Sequence, residues 1–320
     1  MGLIENPKTY TGRDLETIFF RPMFSGENAE QLGIRMLYNM PVPTTVQLWA
    51  PQSDILQEYA QGWNGGSSAQ RLQKEIELVK VKAEVGFSAS TYFQQVYELI
   101  TGRADVNLDD LTGTELEQAE TEMFRAAIAE SLRVTMWVGD TNSDVYNKFN
   151  GFLSKIANSA DISPITHAIG SPYADNILQI FNTMWQNASP ELKALKSGGN
   201  LAFFVTSDIY DAYEQYLDSC GSDAAYNDLS SGRRELSYHG IKIIDMGISQ
   251  YLPISTIENS SICLLTDRHN LVMAVNTADY PGSEVRMWYN ADEMENRQRA
   301  IFMVGCEVID ENLITVAYFD

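Results

Sequence analysis

The sequence is poor in the residues that build metal sites and disulfide frameworks. Its 320 residues include only three cysteines and three histidines: Cys220, Cys263, Cys306, His167, His239 and His269. An odd number of widely spaced cysteines fits neither a disulfide-stapled domain nor a zinc site, so a reducing compartment is expected. The histidines have no cysteine or carboxylate at ligand spacing. We therefore expect no metal, no cofactor and no catalytic residues.

Positive charge and long apolar runs are also scarce. The chain has 22 Lys and Arg against 43 Asp and Glu, a formal net charge of −21. A surface this acidic repels phosphate, so tight or sequence-specific nucleic-acid binding is not expected. No window approaches ~18 uninterrupted apolar residues, and the start MGLIENPKTYTG lacks the features of a signal peptide. The sequence therefore predicts no membrane association.

Apolar material is abundant, with 44% hydrophobic and 11% aromatic residues. Single cores stop growing at roughly 250–300 residues, so we expect two lobes or one body with protruding segments. The strongest periodic segment is 113–139, with a capping box at Thr114 and Glu117 and a stop at Gly139. Its apolar stripe predicts an amphipathic helix of about 24 residues, about 36 Å long. The stripe consists of Leu116, Phe124, Ile128, Leu132 and Met136.

Strand-like segments lie on both sides of this helix. Segments 44–49 and 75–85 read as the limbs of an extended hairpin with the glycine-rich tip GWNGGSSAQ. The alternation slips by one residue at Leu78–Val79, which predicts a bulge or twist. The C-terminal region contains five strand-like segments: SSICLLT, NLVMAVN, EVRMWYN, IFMVGCEVI and LITVAYF. The fold class is α+β, with the long helix packed against a mostly antiparallel sheet.

Shorter elements complete the prediction. A strand at 201–207 leads into a helix at 208–219, capped by Ser207 or Asp208. A second strand is expected at 241–247, and further helices at 12–24, 28–41, 90–102 and 174–187. Ser207 has no surrounding G-x-S-x-G, so it reads as a cap and not as a nucleophile.

The run Asp140-Thr-Asn142-Ser-Asp144 follows the long helix and has the composition of a calcium loop. An EF-hand loop needs Gly at its sixth position and Glu at its twelfth. Counted from Asp140, those positions hold Val145 and Gly151. The run is therefore interpreted as a turn stabilised by its own Asp and Asn side chains.

Three stretches, taken in order, resemble the major capsid proteins of tailed bacteriophages with the Hong Kong 97-like fold. The first is AIAESLRVTMWVGDTNSDVYNKFNGFLSKI (127–156), a long helix ending in Gly-Asp and followed by Phe149-Asn-Gly-Phe-Leu153. The second is AFFVTSDIYDAYEQYL (202–217) with LSYHGIKIIDM (236–246). The third combines SICLLTDRHNLVMAVN (261–276) and AIFMVGCEVIDENLITVAYF (300–319).

The resemblance implies a domain organisation and a function. It implies an N-terminal arm (1–42), an extended loop (43–88), a peripheral domain (89–164 and 256–320, with a spine helix at 114–139) and an axial domain (165–255). The implied function is self-assembly, as pentamers and hexamers, into an icosahedral shell around double-stranded DNA. The shell is a virion capsid, assembled in the bacterial host cytoplasm.

The resemblance also implies partners and contact residues. A separate scaffolding protein is expected, because the family's cleaved scaffolding segment is missing, together with a portal protein and decoration proteins. DNA would be contacted non-specifically. Eight residues are expected at contacts between subunits. They comprise four aromatic residues of the arm and loop, which a monomer would expose, and four basic residues: Phe19, Phe20, Trp49, Trp63, Lys80, Lys82, Arg233 and Arg234. Some relatives cross-link a loop lysine to a neighbouring subunit. The loop lysines here, Lys74, Lys80 and Lys82, are instead interpreted as solubilising residues of a strand edge.

Other functions stay open at this point. An encapsulin-like compartment shell would share the fold but enclose a cargo. An acidic α+β enzyme would need a site assembled from dispersed residues, and the three scattered histidines do not obviously supply one. An adaptor or tail-tube subunit is usually shorter and lacks the long helix.

Overall fold

A computed structural model describes the protein at residues 8–10, 29, 32–39, 44–49, 61, 71–88, 115–165, 172–220, 227–228, 234–254, 257, 259–276, 284–290, 292–293 and 295–319. Its α-helices are α1 (Glu115–Val138), α2 (Phe152–Asn158), α3 (Ile177–Asn187), α4 (Pro190–Ala194) and α5 (Ser207–Ser219). Helix α1 confirms the predicted long helix, and Phe124, Ile128, Leu132 and Met136 of its stripe are buried.

The first sheet is built around one long strand. Its strands are β1 (Lys8–Tyr10), β2 (Arg35–Tyr38), β5 (Val79–Ser88), β12 (Leu271–Asn276), β13 (Glu284–Asn290) and β14 (Glu295–Val308). The order is β1-β13-β14-β12-β2, and β5 pairs with β14 along its other edge. Ala300, Phe302 and Val304 of β14 join Phe124 and Ile128 of α1 in one core. The long helix therefore lies on this sheet.

The second sheet is covered on both faces. Its strands are β6 (Leu201–Val205), β9 (Ser237–Tyr238), β10 (Ile241–Asp245), β11 (Ser261–Asp267) and β15 (Ile314–Phe319), in the order β15-β11-β6-β10-β9. Phe203 packs with α3 and α5 on one face, whereas Phe204 packs with Trp137 and Phe152 on the other. Burial of both faces explains the unbroken apolar run LAFFV of β6.

Four further strands form two separate two-stranded sheets. β3 (Thr44–Trp49) pairs with β4 (Arg71–Ile76), and β7 (Asn227–Asp228) pairs with β8 (Arg234–Glu235). The β3–β4 pairing confirms the predicted first limb at 44–49. The predicted return limb at 75–85 is wrong for most of its length, because β3 pairs with Arg71–Ile76 whereas residues 79–85 belong to β5 and pair with β14. The predicted irregularity lies at Glu77–Leu78, where it is a break between β4 and β5 and not a bulge inside one strand.

The fold class α+β is confirmed, and among the described strands only β6–β10 and β2–β12 pair in parallel. The C-terminal strands divide between the sheets, because β11 and β15 join β6 whereas β12, β13 and β14 form the first sheet. A boundary at residue 256 therefore does not separate the two sheets. The four-part domain division stays a prediction.

Two local predictions are wrong. Within 28–41, Arg35–Tyr38 is not helical but forms strand β2 beside β12, because hydrogen bonding in a sheet outweighs a weak helical pattern. The N-cap of α5 is Thr206 and not Ser207 or Asp208. Ser207 instead donates its hydroxyl to Asp245 at 3.0 Å. The predicted helices at 12–24 and 90–102 lie outside the described residues.

Candidate functional site

The corner after α1 is formed by main-chain contact between two helices. The amide of Gly139 donates to Thr135 O at 2.9 Å, and the amide of Gly151 donates to Gly139 O at 2.8 Å. Ser154 Oγ also donates to Gly139 O, at 2.6 Å. A Cβ on Gly151 would lie 2.6 Å from Thr135 O. Only glycine permits this approach, which explains the two glycines of the Gly-Asp and Phe-Asn-Gly motifs.

The acidic run at this corner is a turn, as the sequence analysis predicted. Asp140 Oδ1 accepts from the backbone amide of Asn142 at 2.8 Å, and Thr141 N donates to Asn150 Oδ1 at 2.9 Å. These bonds direct the side-chain oxygens to the protein's own backbone. Among the described residues, no group of three or more His, Cys, Asp or Glu side chains is placed to hold a metal ion.

Arg133 joins the long helix to the second sheet. Its Nη1 donates to Met246 O at 3.1 Å and to Gly247 O at 3.0 Å, directly after β10. Its other nitrogens bind Glu130, whose carboxylate also accepts from the Tyr251 hydroxyl. Arg133, and secondarily Tyr251, hold the pKa of Glu130 below its ordinary value. Sequence reasoning did not identify this link, because its partners lie more than a hundred positions away.

The base of the β3–β4 hairpin is fixed by an apolar and an ionic cluster. Val46 and Ile76 pack against Val272, Ala274 and Ile309. Beside them, Lys74 Nζ lies 2.7 Å from Glu311 Oε1 and 3.8 Å from Glu307 Oε1. The interpretation of the loop lysines as solubilising residues is therefore wrong for Lys74, because it binds carboxylates across the fold.

The ionic cluster continues onto helix α2. Lys155 Nζ lies 2.6 Å from Glu307 Oε2, and Ser159 Oγ donates to Glu311. The hydrogen bond from Lys74, followed by that from Ser159, lowers the pKa of Glu311. Lys155, Ser159 and the two glutamates border a cleft of about 350 Å³ that is also lined by Asn150 and Asn158. The cluster contains two lysines and two glutamates. It therefore connects β4, β14 and α2 without a net charge.

Groups that resemble catalytic residues have structural partners. Ser207 and the amide of Gly247 both donate to the Asp245 carboxylate, which ties the start of α5 to the end of β10. Cys263 and Cys306 are buried, and burial raises the pKa of both thiols, that of Cys306 to about 12. Both therefore stay protonated at neutral pH.

None of the helices in the described part of the chain has the length and apolar character needed to cross a membrane.

Comparison with solved structures finds the same architecture along nearly the whole chain. A chain of the satellite phage P4 procapsid, a structure that includes size determination (Sid) protein, is 10% identical with a TM-score of 0.59. That match covers 98% of this chain and 93% of that one. A chain of Gordonia phage Cozz is 13% identical with a TM-score of 0.55, over 91% of this chain and 86% of that one. The protein has a phage capsid-protein fold.

A third phage-capsid-fold structure is similar, and the likeness is one of structure and not of sequence. A chain in the capsid of an empty GTA particle is 14% identical with a TM-score of 0.50, over 92% of this chain and 90% of that one. No protein-family model matches the sequence, and neither does any curated protein.

The predicted contact residues fall in different parts of this capsid-protein fold. Phe19, Phe20, Trp63 and Arg233 lie outside the described residues. Trp49 lies in β3 and Arg234 in β8, and their side chains are not described. Lys80 and Lys82 are exposed on β5. The structure thus brings Lys80 and Lys82 together on one strand, and the contacts themselves stay predictions.

Lys82 belongs to a charged row on the face of the first sheet that points away from α1. Lys82 Nζ and Arg299 Nε each lie 2.7 Å from the Glu84 carboxylate. The hydrogen bond from Lys82 is the largest influence that lowers the pKa of Glu84. The Arg299 guanidinium also lies over the Trp288 ring, 5.4 Å from its centroid. The charged row and the Trp288 ring beside it can therefore contact any surface that packs against this face of the sheet.

Proposed function

We propose that this chain is the major capsid protein of a tailed phage or prophage, with a Hong Kong 97-like fold. Copies of it assemble into an icosahedral shell that encloses a double-stranded DNA genome. The observation that carries the proposal is the phage capsid-protein fold, which extends over nearly the whole chain. A separate two-stranded hairpin beside two larger sheets also suits a subunit that must contact several neighbours.

We propose the same four-part organisation that the sequence analysis predicted. Residues 1–42 form the arm, 43–88 the extended loop, 89–164 with 256–320 the peripheral domain, and 165–255 the axial domain around five- and six-fold axes. The β3–β4 hairpin supports the extended loop, and helix α1 on the first sheet supports the spine of the peripheral domain. In the axial domain, the packing of α3 and α5 against β6 and β10 supports a compact body.

The proposed partners follow from shell assembly. Copies of the chain bind one another as pentamers and hexamers, and a scaffolding protein, a portal protein and decoration proteins join them. The packaged DNA is held by confinement, with non-specific contacts, because a net charge of −21 disfavours tight binding to phosphate. The complex forms in the bacterial host cytoplasm and remains in the virion capsid.

An encapsulin-like shell is the alternative, since a compartment that holds protein cargo can use the same fold. Particles purified from the phage-producing host and treated with nuclease discriminate the two. We expect them to retain double-stranded DNA that is released only when the shell is disrupted. Particles that contain a protein cargo and no nuclease-protected DNA would instead support the encapsulin-like alternative.

A further inference from the structure

The chain changes sheets at a two-residue break, which we call the knee: Glu77 and Leu78, together with Gly305 beneath them. β4 ends at Ile76 and pairs with β3, whereas β5 begins at Val79 and pairs with β14. A Cβ at Gly305 would lie 2.1 Å from the carbonyl oxygen of Glu77. Backbone therefore rests directly on backbone at the knee, and the Leu78 side chain beside this contact packs against the apolar cluster that holds Ile76.

Beyond the knee, β4 is fastened to the body on one face. Ile76 is 1% exposed and packs in the apolar cluster with Val272 and Ile309. Lys74 lies two residues further along the same strand, so its side chain points to the same side as Ile76. There it meets Glu311, which belongs to the turn between β14 and β15.

The ion pairs that Lys74 forms with Glu311 and Glu307 belong to a larger network and are not isolated surface pairs. The Glu311 side chain is 28% exposed and that of Glu307 is 10% exposed, so solvent screens both less than a fully exposed pair. Lys155 of α2 and Ser159, directly after that helix, bind the same two carboxylates. Loss of the Lys74 charge would leave two carboxylates with a single lysine, which adds repulsion to the lost contact.

We propose that Lys74 and Glu311 form a clip that fixes the angle of the β3–β4 hairpin, with the knee as its pivot. When the clip is closed, the hairpin is held against the body by the apolar cluster and the ion pair together. When it is open, the apolar cluster alone resists rotation about the knee. Lys74 is in this sense a positioning residue for the β3–β4 hairpin.

A small change at the pivot is amplified along the hairpin. The path from Ile76 to Arg71 spans about 17 Å of strand, so a rotation of about 10° at the knee moves its far end by about 3 Å. Contacts between subunits need complementary surfaces, and a displacement of this size is enough to spoil their packing. This consequence for assembly rests on the proposed function, whereas the clip itself does not.

Hydrogen exchange of the unassembled full-length chain tests the clip directly. In Lys74→Met, which keeps the apolar stem and removes the charge, we expect the amides of 44–49 and 71–76 to exchange roughly three- to tenfold faster. The amides of 79–85, which lie on the other side of the knee, should be unchanged. Glu311→Gln should reproduce the effect, and Lys74→Arg should largely restore wild-type exchange.

Two matched controls separate the clip from general charge effects. Lys148→Met removes an exposed lysine from the corner after α1, and Glu75→Gln removes an exposed carboxylate from β4 itself. Neither should accelerate exchange in the hairpin. Equal exchange in wild type, Lys74→Met and Glu311→Gln would overturn the proposal, as would acceleration that extends equally to 79–85. Since this measurement uses the unassembled chain, failure to form shells would count against the proposed function and leave the clip result intact.

Discussion

Gly139 and Gly151 touch through their backbones, and this contact joins the last turn of α1 to the first turn of α2. The amide of Gly151 donates to the carbonyl oxygen of Gly139 at 2.8 Å. A side chain on either residue would collide with main chain, since a Cβ on Gly139 would lie 2.5 Å from both Phe149 O and Thr135 O. The corner can therefore place buried Phe152 directly against Trp137, with ring centroids 5.5 Å apart.

Alanine at these glycines should destabilise the subunit. We expect Gly139→Ala and Gly151→Ala each to lower the free energy of unfolding by about 1–3 kcal/mol, since neighbouring main chain must shift to admit the methyl group. Gly198→Ala is the matched control, because a Cβ there would meet nothing within 4 Å. Urea unfolding followed by circular dichroism measures the difference. A Gly151→Ala chain as stable as Gly198→Ala would contradict the contact.

Removal of the Arg133 side chain should loosen the link between α1 and the second sheet. Arg133→Met leaves Met246 O and Gly247 O without this donor, and a lost hydrogen bond to a charged group costs about 1.5–3 kcal/mol. We expect lower stability and faster hydrogen exchange around Met246–Tyr251. Arg299→Met, which removes an arginine from the outer face of the first sheet, should leave that segment protected. Unchanged exchange there in Arg133→Met would show that the link is not needed.

Acid should weaken the Glu311 contacts. The pKa of Glu311 is lowered in the folded chain, so its contribution to stability is present above the ordinary value of 4.5 and is lost as the pH falls through the folded pKa. The charged groups that face it are Lys74 from β4, Glu307 from β14 and Lys155 from α2. The stability difference between wild type and Glu311→Gln should be constant from about pH 6 to 7 and shrink below about pH 4.5. A difference that grows on acidification would have the wrong sign.

The cysteines should differ in reactivity as they differ in burial. Cys220 is exposed, whereas Cys263 and Cys306 are buried. Because the thiolate is the reactive form, the buried thiols with raised pKa should resist alkylation in the folded chain. Treatment with iodoacetamide at pH 8, followed by intact-mass measurement, should therefore add a single label to the native chain and three after denaturation. Rapid labelling of Cys306 in the native chain would contradict its burial between the first sheet and α2.

Local patterns predicted much of the fold, since they depend on neighbours in sequence. The stripe containing Phe124 and Leu132 predicted α1, and short apolar segments predicted the C-terminal strands. The clip was beyond sequence reasoning, because Lys74 and Glu311 are 237 positions apart and nothing near Lys74 marks its partner. Gly139 was expected to stop a helix, whereas its close approach to Gly151 depends on how two helices pack. Contacts between subunits depend on surfaces of other copies, so Lys80 and Lys82 stay predictions.

Electron microscopy of the purified full-length chain, alone and together with the proposed scaffolding protein, tests the central claim most directly. The proposed function predicts closed icosahedral shells of uniform size, or the pentamers and hexamers from which they are built. Analytical ultracentrifugation of the same samples checks that the particles represent most of the protein. A chain that stays strictly monomeric under all these conditions would contradict a capsid role.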